Sequence, residues 1–141
     1  MGGFEVSTAI KARPSKVWKA LTAPELIRRY MYGAEVATDW KVGSPIRWKG
    51  YLQEMPYENR GTVLNVIKEE LLEYTYWSDM SGLADLPQNY ARVRCRLVKE
   101  GGGTTLIINV QDPFASEETR KHFEYGWKMI SSGLKKLVEE R

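Results

Sequence analysis

His122 and Cys95, each the only residue of its type in the chain, are the side chains best suited to proton transfer, nucleophilic attack or soft-metal binding. Neither is placed for that work. His122 lies between Lys121 and Phe123, off the apolar stripe of a helix, and reads as a solvated surface imidazole without the positioned partner a general base needs. Cys95 has inward parity in a strand and reads as a small buried hydrophobe. One cysteine excludes an internal disulfide framework and a multi-cysteine metal site, and it suits a reducing compartment. No Ser-His-Asp order and no metal-ligand spacing occurs, and the GGGTT run lacks the Lys of a phosphate-binding loop. The expectation is no catalytic constellation, no metal and no cofactor.

The aromatic residues are more informative, with five Trp and eight Tyr among 141 residues. Trp48, Tyr74 and Tyr76 have the strand parity of a sheet face turned toward Trp127 on the last helix. Most aromatics of this kind fill a core. Some can line a pocket instead, because ligand sites are largely apolar with a few polar groups. Tyr74 and Tyr76 would supply those groups, since buried Tyr hydroxyls need hydrogen-bond partners. Phe123 and Ile130 on the helix and Cys95 on its strand complete the candidate ligand-binding set.

The elements that must hold these residues follow from periodicity. Phe4, Val6, Thr8 and Ile10 alternate with Glu5, Ser7, Ala9 and Lys11, which predicts a half-buried strand. Pro14 and Pro24 each open a short helix, with Val17, Trp18 and Leu21, then Leu26, Ile27 and Tyr30, as apolar sides. From Ala34 to Asp112 the chain reads as an antiparallel meander of six strands: AEVATD, IRWKGYLQ, RGTVLNVI, LLEYTYWS, YARVRCRLV and TTLIINV. Pro56 is expected to interrupt it, and the triple glycine at 101–103 to turn a hairpin. Regular strands without intervening helices predict a one-sided antiparallel sheet, hence an α+β domain spanning residues 1–141. The last helix starts after Pro113, with Ser116 as N-cap and Glu117 and Glu118 in the first turn. Phe123, Trp127, Ile130, Leu134 and Leu137 run down one face for about 20 residues, or ~30 Å. Gly126 and Gly133 lie beside that stripe. Each either lets the helix approach the sheet or leaves room for a ligand.

Composition bounds the rest. A formal charge of +3 is far from the dense basic surface of a dedicated nucleic-acid binder, so no nucleic-acid partner is expected. Arg92, Arg94 and Arg96, with Arg47 and Lys49 nearby, read as the solvated outer side of the sheet, with a binding surface for an acidic protein or RNA as the alternative. No segment approaches the ~20 apolar residues of a membrane span. MGGFEVS has neither the basic nor the apolar region of a signal peptide, and Val6 stands where myristoylation wants Ser or Thr. Cytoplasmic residence is the expectation.

Five strings resemble, in order, the activator of heat-shock protein 90 ATPase homologue family, within the START/SRPBCC helix-grip superfamily. IKARPSKVWKALTAPELIRRY is similar to its opening helices, and DWKVGSPIRW to its Asp-then-Val-Gly-Gly turn. RGTVLNVIKEELLEYTYW is similar to its Gly-x-Val and Leu-x-Tyr-Thr strands. GGGTTLIINV and YGWKMISSGLKKLVE resemble its Gly-Thr-x-Leu strand and its Gly-Trp-containing final helix. Tyr30 stands where the family commonly has Trp, Ser44 where it often has a second Gly, and SDMSGLADLPQN is long for a hairpin. The resemblance implies a helix-grip fold: strand, two short helices, six-stranded meander, and a long C-terminal helix across a curved sheet. It also implies, as in lipid-transfer and polyketide cyclase relatives, a lipid-like or polyketide-like hydrophobic ligand between helix and sheet. A co-chaperone-like protein partner is the alternative function, and a cyclase-type enzyme using a Tyr as acid is third. The oligomeric state is left open.

Overall fold

A computed structural model describes residues 2–79, 81–112 and 116–140. The elements run β1 (Gly2–Ile10), α1 (Pro14–Thr22), α2 (Pro24–Tyr30), β2 (Glu35–Ala37), β3 (Pro45–Leu52), β4 (Met55–Ile67), β5 (Leu71–Tyr76), β6 (Ala91–Glu100), β7 (Gly103–Asp112) and α3 (Glu117–Glu139). Seven strands form one antiparallel sheet in the order β1-β7-β6-β5-β4-β3-β2, so the meander is continuous and β1 returns beside the last strand. This is the helix-grip α+β fold.

Alternation decides which side is covered. Ala91, Val93, Cys95 and Leu97 of β6 and Leu106, Ile108 and Val110 of β7 are buried on the concave face, with Arg92, Arg94 and Arg96 exposed on the other. The sheet curves at β4. Its first part pairs with β3 through Thr62, its second part with β5 from Val63, and the register shifts between Val63 and Asn65.

Pro56 does not interrupt β4. It pairs with Tyr51 of β3, and its missing N–H lies on the other side. Glu58, two residues on and therefore turned the same way, sends its N–H away from β3 to Asp79 Oδ2 at 2.8 Å. Among the described residues no strand pairs with that side beyond β5, so a proline costs no ladder bond there.

The helix pair α1–α2 is held by hydrogen bonds that the proline at its junction makes necessary. In a continuing helix the Ala20 carbonyl would accept from residue 24, but Pro24 has no N–H. The buried Tyr30 hydroxyl donates to that carbonyl at 2.7 Å, and Trp40 Nε1 donates to the Thr22 carbonyl at 2.8 Å. Tyr30→Phe is therefore expected to leave a buried carbonyl unpaired and to cost about 1–3 kcal/mol in urea unfolding. Equal stability of the two proteins would contradict this role.

Helix α3 starts as its sequence dictates, Ser116 Oγ accepting from the Thr119 N–H at 3.0 Å. Pro113, expected just before it, lies outside the described residues. Its C-terminal half is clamped. Leu134, Leu137 and Val138 are buried, Ser131 bonds Thr8 at 2.5 Å, Lys135 Nζ reaches the Ala9 carbonyl at 2.8 Å, and Glu139 accepts the Lys11 N–H at 2.7 Å. In the N-terminal half only Trp127 is buried, with Phe123 and Ile130 half-buried. The helix grips at one end and stands off at the other.

Candidate ligand cavity

The stand-off leaves a space of about 130 Å³ between α3 and the sheet. Trp48 from β3, Tyr74 and Tyr76 from β5, and Phe123, Trp127 and Ile130 from α3 all line it. The Trp48 ring packs against both tyrosines, with centroids 5.5 Å from Tyr74 and 5.1 Å from Tyr76. Cys95 sits elsewhere. It borders a deeper, nearly filled space of about 30 Å³ that shares Trp48, Tyr74, Trp127 and Ile130 with the first. A third lobe, of about 10 Å³, lies toward Ser78 and Ser81 beneath the loop before β6. Trp127 borders all three.

Two glycines beside the same stripe have different surroundings. A Cβ on Gly133 would meet Tyr30 Cβ at 3.4 Å, an ordinary van der Waals contact, so this position packs against α2 rather than the sheet and has room for an alanine. A Cβ on Gly126 would meet nothing within 4 Å, and Gly126 lines the 130 Å³ space. The loss of helix propensity at position 126 is not offset by tighter packing.

Residues 11–139 match the family model for Activator of Hsp90 ATPase homolog 1-like protein. The chain belongs to that family. No curated protein matches it. The solution structure of ChR145 from Cytophaga hutchinsonii is 38% identical, with a TM-score of 0.84 over 99% of this chain and 95% of that one. The Aha1 dimer from Colwellia psychrerythraea is 17% identical, with a TM-score of 0.78 over 99% and 97%. DynU16, of the dynemicin biosynthetic locus, is 17% identical, with a TM-score of 0.81 over 97% of this chain and 47% of its own. The last two likenesses concern fold alone.

In this member of the Activator of Hsp90 ATPase homolog family, Met31, Gly126 and His122 join the cavity wall alongside the residues singled out from sequence. Met31 follows Ile27 by four positions on the apolar side of α2, a signal present in the sequence. His122 is exposed as expected, yet it stands at the cavity rim with its ring 5.8 Å from that of Phe123.

Burial sets the protonation of the interior. Desolvation pushes the Cys95 thiol up to about 12 and raises the hydroxyls of Tyr30, Tyr74 and Tyr76 above the usual tyrosine range. A thiol so held is a poor nucleophile, and a tyrosine so held donates a hydrogen bond without giving up its proton near neutral pH. When unfolded, the same four groups ionise from about pH 8.5 to 10. Above that range the folded state binds more protons than the unfolded one. Stability present at neutral pH is therefore lost as pH rises through 9 toward 12, by up to about 1.4 kcal/mol per pH unit for each group. Urea midpoints at pH 7, 9 and 10.5 should fall steeply over the last step, and a flat series would contradict this.

The outer face carries paired charge. Glu73 is 2% exposed and has Arg92 Nε and Arg94 Nε each 3.4 Å from Oε2, with Asn65 Nδ2 donating to Oε1 at 3.1 Å. Glu58 stands between Arg47, Lys49 and Arg60 at 3.8, 4.0 and 3.2 Å. The basic ladder is thus interleaved with carboxylates rather than uniformly positive. Among the described residues no group of His, Cys, Asp and Glu is arranged to hold a metal ion, and no helix is long and apolar enough to cross a membrane.

Proposed function

We propose that residues 1–141 act as one helix-grip module that binds a small, largely apolar molecule between the N-terminal half of α3 and the sheet. The observation that carries this reading is the unfilled space beneath Gly126, walled by Trp48, Tyr74, Tyr76, Phe123, Trp127 and Ile130. Cys95 contributes from the deeper lobe as an apolar floor. Such a wall, aromatic and aliphatic with a few hydroxyls, is the ordinary composition of a small-molecule site.

The volume narrows the ligand. Sites for drug-sized molecules are about 300–1,000 Å³, whereas ~150 Å³ accepts one benzene-sized ring. The space of about 130 Å³ suits a single ring or a short chain. A lipid-sized or polyketide-sized molecule requires Trp127 to move and join the three lobes, and DynU16, from a biosynthetic locus, supports keeping that larger class in the test.

Native mass spectrometry of freshly purified protein, against its denatured mass, tests the reading. The expected result is a retained small molecule that Trp127→Ala releases. A clean apo mass, with no thermal shift across ring compounds, short alkyl ketones and lipids, would overturn the proposal and favour a protein-docking role.

A further inference from the structure

The polar groups on the cavity wall are unevenly occupied. Tyr30 donates to the Ala20 carbonyl, Trp40 Nε1 to the Thr22 carbonyl, Ser131 is paired with Thr8, and Tyr76 accepts from Asn59 Nδ2 at 2.6 Å. Tyr74 differs. It is 7% exposed and lines both larger spaces, and among the described residues its hydroxyl has no hydrogen-bond partner. The indole N–H groups of Trp48 and Trp127 likewise have no partner among the described residues. Among the described residues the one fully enclosed side-chain oxygen or nitrogen without a hydrogen-bond partner is Glu73 Oε2, so the Tyr74 hydroxyl keeps accessible surface, and water or a ligand can complete it.

Resting on the binding reading above, we propose that the ligand is a neutral carbonyl compound, a ring or short chain bearing one C=O group, and that the Tyr74 hydroxyl donates to its oxygen. The indole N–H groups of Trp48 and Trp127 only donate and the Tyr74 hydroxyl can donate, so an acceptor atom on the ligand is the one kind that suits all three. Among the described residues no Lys or Arg lines either space and His122 is exposed at the rim, so a carboxylate held in the interior would lack an enclosed cation, whereas a carbonyl oxygen needs none.

The test uses cyclohexanone and methylenecyclohexane, which differ only in C=O against C=CH₂. Each is titrated into the full chain as wild type and as Tyr74→Phe, with folding of both proteins checked by thermal unfolding. The ketone-to-alkene affinity ratio is expected to fall by about 2- to 12-fold in Tyr74→Phe. The infrared C=O stretch of bound cyclohexanone is expected to lie lower in wild type than in the variant. Binding of both probes with an unchanged ratio and an unchanged stretch would overturn this inference and leave the cavity reading intact. Failure of both probes to bind wild type would overturn the two together.

Discussion

Gly61→Ala is expected to destabilise the protein by about 3 kcal/mol or more, lowering its melting temperature by roughly 10 °C. A Cβ at this position would sit 1.9 Å from the Thr75 carbonyl oxygen and 2.9 Å from its carbon, backbone atoms that cannot rotate away. It would also meet the Trp48 ring at 3.3 Å. Relief requires β4 and β5 to part where the sheet bends. That parting would strain the bond from the Thr62 N–H to Thr75 Oγ1 at 2.9 Å and the two bonds linking Arg60 to Trp77. Trp48 and Tyr74 are carried by the strands on either side of β4, so the same change should also disorder the cavity wall. Urea unfolding measures the first effect, and a loss below about 1 kcal/mol would show that the bend does not depend on this glycine.

Gly126→Leu should do the opposite: retain or raise stability while removing binding. Leucine gains up to about 1 kcal/mol of helix propensity over glycine, and its side chain enters a space that holds no other atoms. With about 130 Å³ available, a leucine side chain leaves too little room for a ring, and affinity for any ligand of the site should drop at least tenfold. A milder Gly126→Ala change should give an intermediate loss. Unchanged affinity in Gly126→Leu, with the fold intact, would place binding elsewhere, for example in the two grooves of about 530 and 630 Å³ near Lys49 at the β2–β3 edge.

Most of the architecture was legible because alternation and helical spacing are local signals. The strand faces of β1, β6 and β7, the α3 stripe and the Ser116 cap all follow from neighbouring residues. What escaped depends on partners far along the chain. Pro56 reads as a breaker until it is known which side of β4 lacks a partner strand. Glu73 has outward parity, yet it is buried beside Arg92 and Arg94. Tyr30 reads as core filler, and its hydroxyl bond is intelligible only once Pro24 is seen to deprive the Ala20 carbonyl of an amide.

The cavity shows the same division. Trp48, Tyr74, Tyr76, Phe123, Trp127 and Ile130 could be grouped from parity because each faces the concave side. Cys95 shares that parity but lies one layer deeper, a distinction that depth along a curved sheet creates and periodicity cannot express. Gly126 and Gly133 are indistinguishable by spacing. Only the contact with Tyr30 separates the one beside packed atoms from the one beside open space.

The most direct test of the central claim is a ¹H–¹⁵N correlation spectrum recorded while cyclohexanone and other single-ring compounds are added. The five Trp indole N–H signals report from distinct places. Shifts at Trp48, Trp127 and the Gly126 amide, with Trp77 unchanged, are the predicted result. Shifts confined to Lys49 and Tyr51 at the sheet edge, or no shifts at all, would contradict binding between helix and sheet.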